Sequence, residues 1–335
     1  MTKRFAAIGI DHRHVYGMAG NMIDAGAEFV GWATEGHPET EAGFLKRFPD
    51  VPRSDNAEAL LNDPNIDFII LSGIPRDRAA WAIKAMEAGK DVLSDKPGCT
   101  TLDQLAALQA TVKKTQRIYA IDFSERFEVP AVTRAAELVA DGAIGRVIQT
   151  LGIGPHRLNR PSRPDWFFDR AAYGGIITDI ASHQIDQFLF FTGSIDAEIT
   201  LANVANYANP SDPGLQDFGE IALRSDQGHG YIRVDWYTPD ALPTWGDGRL
   251  TILGTEGYIE LRKYVDVGHD GTDHVILANA TRCERFEASD AGLPFFGRLL
   301  NDFRDRSETA VGQAHVFKVC ELSLKAQAMA EGKTA

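Results

Sequence analysis

The chain lacks the features of several common protein classes. It has only three cysteines in 335 residues, and Cys99, Cys283 and Cys320 are too widely spaced for a disulfide framework or a Cys-x-x-Cys metal or redox pair. Its apolar runs are short: the first ends at Asp11, too early for a secretory signal, and none reaches membrane-spanning length. These absences predict a protein of the reducing cytoplasm without a membrane segment.

Positive charge is also scarce. Lysine and arginine number 34 against 47 aspartates and glutamates, the formal net charge is -13, and no basic run relieves it. Such a surface repels nucleic acid and anionic lipid, so neither is expected as a partner. The remaining composition, 44% hydrophobic and 24% charged, is that of a globular protein long enough for two domains with separate cores.

The pattern of apolar residues changes once along the chain. Over residues 1–121, short apolar runs such as "IDFIILSG" alternate with amphipathic stretches, which predicts a Rossmann-type dinucleotide-binding domain with a doubly wound parallel sheet. Over residues 122–335, alternating runs such as "EIALRSDQGHGYIRVDWYT" predict an α+β domain with a large, mostly antiparallel open sheet. That sheet favours a homodimer or homotetramer, and a C-terminal helix over residues 312–331 could pack back on the first domain.

The turn after the first strand reads "GIDHRH" where a dinucleotide fold carries GxGxxG. Those glycines make the tight turn, let the backbone approach a pyrophosphate and allow close helix packing. Only Gly9 is kept, with Asp11 and His14 in the other two places. His12 and His14 could donate hydrogen bonds to a phosphate or substrate, could be polar residues without a ligand, or could bind a metal as a His-x-His pair. We favour the first interpretation, because two histidines and an aspartate lie within four positions at the carboxyl end of a strand; the lack of a third ligand nearby in the sequence argues against a metal.

Glu35 follows the second predicted strand, about 20 residues beyond that turn. A carboxylate in this position binds the ribose hydroxyls of NAD and repels the 2′-phosphate of NADP. It therefore favours NAD, although a solvated loop glutamate is the alternative.

A second candidate lies in "DVLSDKPG", which places Asp95, Lys96 and Pro97 at the carboxyl end of a buried strand. Open α/β sheets bind their ligands at this edge, and the proline keeps residue 96 out of helical geometry. A lysine in a partly dry pocket can hydrogen-bond a substrate hydroxyl or exchange a proton with it. The alternative is a surface lysine paired with Asp95.

A third candidate is the predicted helix in "YGGIITDIASHQIDQFLFFTG". It is as apolar as a core helix, yet Asp179, His183 and Asp186 follow i, i+4, i+7 spacing and share one face. A carboxylate one turn before a histidine can orient its ring and raise its basicity, which suits a general acid or base. Gly174 and Gly175 permit close approach of another group. The alternative is a satisfied polar network between domains.

These segments together resemble the Gfo/Idh/MocA oxidoreductase family. The family's "EKP" corresponds to "DKP" here, its "GGGxLxDxGxHxxD" to "GGIITDIASHQID", and its "RF.PA...A..li..G.IG" to "RFEVPAVTRAAELVADGAIG". The resemblance implies an NAD-binding Rossmann domain and hydride transfer at a ring carbon of a sugar, inositol or related polyol. It also implies that Lys96 holds the reacting hydroxyl, that His183 takes or returns its proton, and that Asp179 positions both.

The sequence predicts a cofactor site and a substrate site. The cofactor is expected to contact Gly9, Asp11, His12, His14, Glu35, Ser72, Gly73, Asp95, Lys96 and Pro97. Arginines that clamp a carboxylate and a tryptophan that stacks on a sugar ring predict a substrate site with Arg126, His156, Arg157, Trp166 and Asp186. For the loop "GPHRLNRPSRPDWFF", solvated arginines facing acidic neighbours are an equal alternative.

The chain also departs from the family pattern. "GIDHRH" replaces the glycine loop, and "SGIPRDR" replaces "TPNxxH", so that Arg78 stands where the family has a histidine. The leading hypothesis is an NAD-dependent oxidoreductase in which Lys96 and His183 meet at one cleft beside the coenzyme. The alternatives are a redox-neutral lyase, hydratase or epimerase using resident NAD or a metal near His12 and His14, and a sugar-binding protein without turnover.

Overall fold

A five-stranded parallel sheet forms the centre of the N-terminal part of the computed structural model, which describes residues 2–333. Its central strands are buried on both faces, as expected for a sheet covered by helices. The order is β2-β1-β3-β4-β5, so β2 is added on one side of β1 and the strands from β3 onward are added on the other, which reverses the strand order between β1 and β3. The strands are β1 (Arg4–Ile8), β2 (Glu28–Ala33), β3 (Phe68–Leu71), β4 (Asp91–Asp95) and β5 (Tyr119–Asp122).

Three of the helices between these strands begin where the sequence provides a capping group or a proline. Asn56 and Thr101 accept hydrogen bonds from backbone N–H groups one turn on, and Pro75 occupies a first-turn position whose N–H would have no helical partner. The helices are α1 (Val15–Asp24), α2 (Glu41–Arg47), α3 (Ala57–Asn62), α4 (Pro75–Glu87) and α5 (Leu102–Thr115). The predicted doubly wound α/β architecture is confirmed.

A second sheet of eight strands follows, in the order β13-β12-β11-β10-β6-β9-β8-β7. Every neighbouring pair is antiparallel except β6 and β9. The strands are β6 (Val147–Pro155), β7 (Glu198–Ala205), β8 (Phe218–Arg224), β9 (His229–Asp235), β10 (Arg249–Gly254), β11 (Gly257–Arg262), β12 (His274–Asn279) and β13 (Cys283–Glu287). This confirms the predicted large, mostly antiparallel open sheet.

Buried and more exposed residues alternate along these strands, which gives the sheet one buried face. Leu250, Ile252, Ile259 and Leu261 point into a core that also includes Val132 of a covering helix. The helices of this part of the chain are α6 (Ser124–Phe127), α7 (Pro130–Ala140), α8 (Arg170–Tyr173) and α9 (Ser182–Thr192), and the two C-terminal helices are α10 (Pro294–Asp305) and α11 (Gln313–Ala330).

The helix predicted to carry Asp179 and His183 is not regular. Its first turn, Ile177–Ala181, is a π-helix, and α9 continues from it. A π turn inserts one residue into the helical repeat, so the i, i+4 geometry assumed from the sequence does not hold across this turn. Periodicity alone could not indicate the insertion, because the helix is buried on all sides and shows no one-sided apolar pattern.

The described chain divides into two compact units. The first contains the chain up to Asp122 together with Pro164–Gly174 and Pro294–Cys320, and the second contains Phe123–Arg163, Gly175–Leu293 and the chain from Glu321. The units therefore differ from the two continuous domains predicted at residues 1–121 and 122–335. The boundary inside α11 assigns the start of the C-terminal helix to the first unit.

Within residues 2–333, none of the helices combines the length and the apolar character that crossing a membrane requires.

Candidate active site

The turn after β1 keeps one glycine because two backbones touch there. Gly9 has a φ of +71°, and a Cβ at this position would lie 2.5 Å from the Cα of Gly73. The backbone N–H of His12 donates to the Ser72 carbonyl at 2.9 Å, and the Ser72 hydroxyl donates back to the His12 carbonyl at 3.1 Å. The turns after β1 and β3 are thus joined at the reversal of strand order, where open α/β sheets bind ligands.

Beside this contact lies a group of side chains around Asp95, called here the Asp95 cluster: Asp95, His12, His14, Ser72 and Arg78. The Nδ1 atoms of His12 and His14 lie 2.8 Å from Asp95 Oδ2 and Oδ1, respectively. The Ser72 hydroxyl donates to Oδ2 at 3.2 Å, and Arg78 Nη2 lies 3.0 Å from the same oxygen. One buried carboxylate therefore organises both histidines of the altered glycine loop.

Burial and charge fix the protonation of this cluster. Burial lowers the pKa of His12 to about 3, against the opposing attraction of the Asp95 carboxylate. Burial alone would raise the pKa of Asp95, but Arg78, His14 and His12 together hold it well below its usual range. At neutral pH His12 is a neutral imidazole that donates from Nδ1, and Asp95 is an anion.

The cluster also contains a possible metal-ligand set. Ligand atoms of His12, His14 and Asp95 all lie within 4.8 Å of one another, so the structure supplies the third ligand that the sequence did not place nearby. Two imidazoles and a carboxylate suit Zn²⁺ or a related cation. However, the buried Arg78 guanidinium adds a fixed positive charge beside the carboxylate, and Lys96 acts on His12 as a further cation. Both charges compete with a bound cation for the carboxylate.

Arg78 also joins the turns that carry the predicted cofactor residues. Its Nε donates to the Gly73 carbonyl at 2.8 Å, and its Nη1 donates to the Lys96 carbonyl. Lys96 is only 4% exposed, so it is not a surface lysine. The sequence placed Arg78 in the position of a family histidine but did not predict it as a site residue.

The two remaining acidic residues of the predicted cofactor site have different surroundings. Asp11 is partly buried, and burial, supported by the nearby acidic Asp77 and Glu35, raises its pKa despite the opposing effects of a backbone hydrogen bond and Arg78. Glu35 itself is exposed, two residues after the end of β2.

In the second unit, the predicted acid–base residues are buried. His183 is 1% exposed and Asp179 is 7% exposed, and the His183 ring meets the Phe123 ring edge-on at 6.5 Å between centroids. Asp186, one turn further, accepts two hydrogen bonds of 2.6 Å from Arg126. The structure thus brings Asp186 together with Arg126, two residues that the sequence assigned to the substrate.

Arg126 is held further by aromatic rings. Its guanidinium carbon lies 4.2 Å from the centroid of Phe127 and 4.5 Å from that of Phe190. A bidentate pair between two rings is satisfied without a ligand. Substrate binding by Arg126 and Asp186 stays a prediction.

A second buried ion pair lies next to α9 and was missed from the sequence. Lys263 Nζ donates to Glu125 Oε2 at 2.7 Å and to Gln187 Oε1 at 3.1 Å. Gln184 Nε2 donates to the same Glu125 oxygen at 2.9 Å. Lys263 and Glu125 are 138 positions apart, so no local pattern could have linked them.

The other predicted substrate residues are dispersed. His156 donates from Nδ1 to the Gly154 carbonyl, 3.0 Å away, and its ring lies 4.7 Å from that of Trp245. Arg157 donates to backbone carbonyls in the loop at residues 239–242 rather than presenting a clamp for a carboxylate. Trp166 is half-buried in a short 3-10 turn and belongs to the first compact unit.

Comparison with known proteins identifies relatives along most of the chain. The levoglucosan dehydrogenase of Pseudarthrobacter phenanthrenivorans is 30% identical over 264 residues, 77% of this chain and 66% of that protein. The NAD(+)-dependent scyllo-inositol 2-dehydrogenase of Bacillus subtilis is 29% identical over 213 residues, 62% of this chain and 58% of that protein. The matched region therefore spans less than two thirds of these relatives' lengths.

A solved structure matches the whole chain, and two family models match parts of it. One match is a 1.25 Å crystal structure of a protein from Erwinia carotovora atroseptica that is assigned as an oxidoreductase. It is 48% identical to this chain with a TM-score of 0.95, and the match covers 100% of both chains. The model of an oxidoreductase family with an NAD-binding Rossmann fold matches residues 3–123, and that of the GFO/IDH/MocA C-terminal domain matches residues 132–260. The chain belongs to the Gfo/Idh/MocA family.

Proposed function

We propose that the protein is an NAD-dependent oxidoreductase that moves a hydride to or from a ring carbon of a sugar-like or cyclic polyol substrate. The observation that carries this proposal is the buried Lys96 at the carboxyl end of β4, joined through Arg78 to the Gly9–Gly73 contact. Family membership supports it, as do relatives that are dehydrogenases of levoglucosan and scyllo-inositol.

The turn after β1 has an aspartate and a histidine in place of two of its glycines, so it binds the cofactor diphosphate by a different means from a glycine loop. Asp95 fixes both imidazoles through Nδ1, and the positive charges of Arg78 and Lys96 act on the same group of side chains. An anion is therefore favoured beside His12 and His14, whose Nε2 atoms are the ring positions turned away from Asp95. The other predicted contacts are Gly9, Asp11, Glu35, Ser72, Gly73, Lys96 and Pro97. NAD, when bound, supplies the hydride acceptor or donor.

The acid–base work falls to Lys96 and His183. Lys96 holds the reacting hydroxyl as a hydrogen-bond donor, and His183 takes its proton during oxidation and returns it during reduction. Asp179, in the π turn preceding His183, positions the imidazole. Among the predicted substrate contacts, His156 and Trp166 offer ring faces that suit a sugar, whereas Arg126, Arg157 and Asp186 would contact substrate only after breaking the bonds described above.

The outer face of the eight-stranded sheet supports the proposal of a homodimer or homotetramer. Its strands expose large apolar side chains, each between 37% and 42% accessible: Leu151, Leu201, Leu253 and Tyr258. Light scattering on the purified protein measures the state directly, and a monomer at all concentrations would contradict it.

The three-ligand set around Asp95 supports a second candidate. In a redox-neutral lyase, hydratase or epimerase, His12, His14 and Asp95 would bind a divalent metal. Elemental analysis of the purified protein separates the two: stoichiometric zinc or manganese without bound nucleotide would favour the second candidate.

The experiment for the leading proposal is a nucleotide titration followed by a screen of oxidised and reduced sugars and polyols. We expect NADH fluorescence to change on binding, and one substrate class to produce or consume NADH. Absence of nucleotide binding, or turnover of a screened substrate without any net NADH change, would contradict it.

A further inference from the structure

The helix that carries Asp179 and His183 begins without a conventional cap. Helix N-termini leave several backbone N–H groups without partners, and Ser, Thr, Asp or Asn usually supply the acceptor. Here Ile176 stands at the N-cap of the π turn, and its side chain cannot accept a hydrogen bond. The buried N–H groups that follow must be satisfied by residues from elsewhere in the chain.

Two glutamines supply the acceptors. Gln216 Oε1 accepts from the Ile176 N–H at 3.0 Å. Gln327 Oε1, in α11, accepts from the Ile177 N–H at 3.0 Å and from the Thr178 N–H at 3.4 Å. Gln327 is 2% exposed, so water cannot replace it as the acceptor.

A carboxylate fixes the orientation of both amides. Gln327 Nε2 and Gln216 Nε2 donate to Glu331 Oε1 at 2.8 Å and 2.9 Å, and Gln327 Nε2 also donates to Gln216 Oε1 at 3.0 Å. Because an ionised carboxylate only accepts, each amide must present its nitrogen to Glu331 and its oxygen to the helix. The Gln216–Gln327–Glu331 triangle thus has one hydrogen-bonding arrangement.

Gly175 makes room for this triangle. Its φ is +90°, and a Cβ there would lie 2.3 Å from the amide carbon and oxygen of Gln327. The Gly175 carbonyl in turn accepts from the Asp179 N–H at 2.8 Å. The second glycine of the motif therefore allows Gln327 to contact the turn that carries Asp179.

We propose that Gln327, held by Gln216 and Glu331, is a positioning residue that fixes the π turn and so sets the orientation of Asp179 relative to His183; this inference rests on the proposed function. π turns are rare and occur mostly as single turns within α-helices, so the contacts that hold one in place matter for its geometry. Without its acceptors, the turn relaxes toward a regular helix and moves Asp179.

The test exchanges donor and acceptor between two partners. Gln327→Glu places two carboxylates in contact and removes the donor to Glu331. The double variant Gln327→Glu with Glu331→Gln restores a donor–acceptor pair with the charge on the other residue. Gln109→Glu, on the exposed face of α5, is the matched control for the same chemical change.

We expect Gln327→Glu to lower kcat by about ten- to a hundredfold with little change in KM for NAD, because displacing a catalytic group by a fraction of an ångström has effects of this size. The double variant should recover most of the loss, and Gln109→Glu should match the wild type. Recovery separates positioning from a general loss of folded protein. Wild-type kcat in Gln327→Glu, or loss without recovery in the double variant at equal folded fraction, would overturn the inference.

Amide hydrogen exchange in residues 175–183 tests the inference independently of activity. Exchange in this segment should be about tenfold faster in Gln327→Glu and return in the double variant. Unchanged exchange would overturn the positioning role even if the enzyme is active. Failure of the proposed function has a different signature: His183→Ala, assayed in parallel, would retain activity while the exchange result stays as expected.

Discussion

Two buried carboxylate–arginine pairs, one in each compact unit, differ in how they use the carboxylate. Asp186 receives both of its short bonds from Arg126, and aromatic rings cover the guanidinium. Asp95 receives only one contact from Arg78 and shares its oxygens with Ser72 and two imidazoles.

The difference separates a structural pair from a pair that prepares a site. The Arg126–Asp186 pair closes on itself and holds α9 in place. In the Asp95 cluster, one ring nitrogen of each histidine contacts the carboxylate, so Asp95 orients both imidazoles of the proposed cofactor site. A buried carboxylate is therefore a functional candidate when it orients several side chains of a proposed site rather than pairing with one arginine.

The largest expected effect is on kcat and comes from Lys96 and His183, which belong to neither pair. Lys96→Ala and His183→Ala should each lower kcat by about 10²- to 10⁴-fold, because each removes a proton-transfer or hydroxyl-holding group. Steady-state kinetics with the screened substrate measures this, and circular dichroism checks that the fold is intact. Near wild-type turnover in either variant would show that the acid–base assignment is wrong.

Removing Arg126 from the Arg126–Asp186 pair should lower the stability of the fold rather than the catalytic rate. Arg126→Ala leaves the Asp186 carboxylate buried without its arginine, which costs about 3–5 kcal/mol in the free energy of unfolding. Urea denaturation measures the loss. The double variant Arg126→Ala with Asp186→Ala should be less destabilised than the single one; equal or greater destabilisation would contradict an unpaired charge as the cause.

The Asp95 cluster should show its effect through pH. The pKa of His12 is about 3 in the folded protein and about 6.5 when unfolded, so the unfolded chain binds the extra proton between these values. Stability from this group is complete above pH 6.5 and falls with decreasing pH by about 1.4 kcal/mol per unit. Between pH 6.5 and 5, the wild type should lose about 2 kcal/mol more unfolding free energy than His12→Asn. Parallel pH profiles for the two proteins would contradict the neutral buried imidazole.

The smallest expected effect is on NAD binding and tests the role proposed for the Asp95 cluster. Asp95→Asn keeps the shape of the side chain but removes the charge that orients both imidazoles, so we expect NAD to bind about tenfold more weakly. Asp186→Asn is the matched control and should leave the NAD dissociation constant unchanged. Fluorescence titration measures both, and equal weakening by the two variants would contradict the distinction drawn here.

Local patterns in the sequence were sufficient for much of this molecule. Apolar runs predicted the parallel sheet, and alternation predicted the one-sided antiparallel sheet, because both patterns depend on near neighbours. The same is true of the positions of Lys96 at a strand end and of Asp179 and His183 on one apolar helix.

Long-range partners could not be predicted in this way. Gln327 contacts the π turn across 150 positions, and Lys263 reaches Glu125 across 138. Arg78 was visible as a substitution, but its bonds to Asp95, Gly73 and Lys96 depend on how three turns meet at one sheet edge. The periodicity of apolar residues carries no information about which distant residues come into contact.

The central claim is that Lys96 and His183 promote hydride transfer between a polyol carbon and NAD. The most direct measurement uses the substrate found in the screen, labelled with deuterium on the reacting ring carbon, in a single turnover with NAD. The predicted result is reduced nucleotide carrying one deuterium in the wild type and none formed by His183→Ala. Consumption of the labelled substrate by the wild type with no deuterium in the nucleotide would contradict the claim.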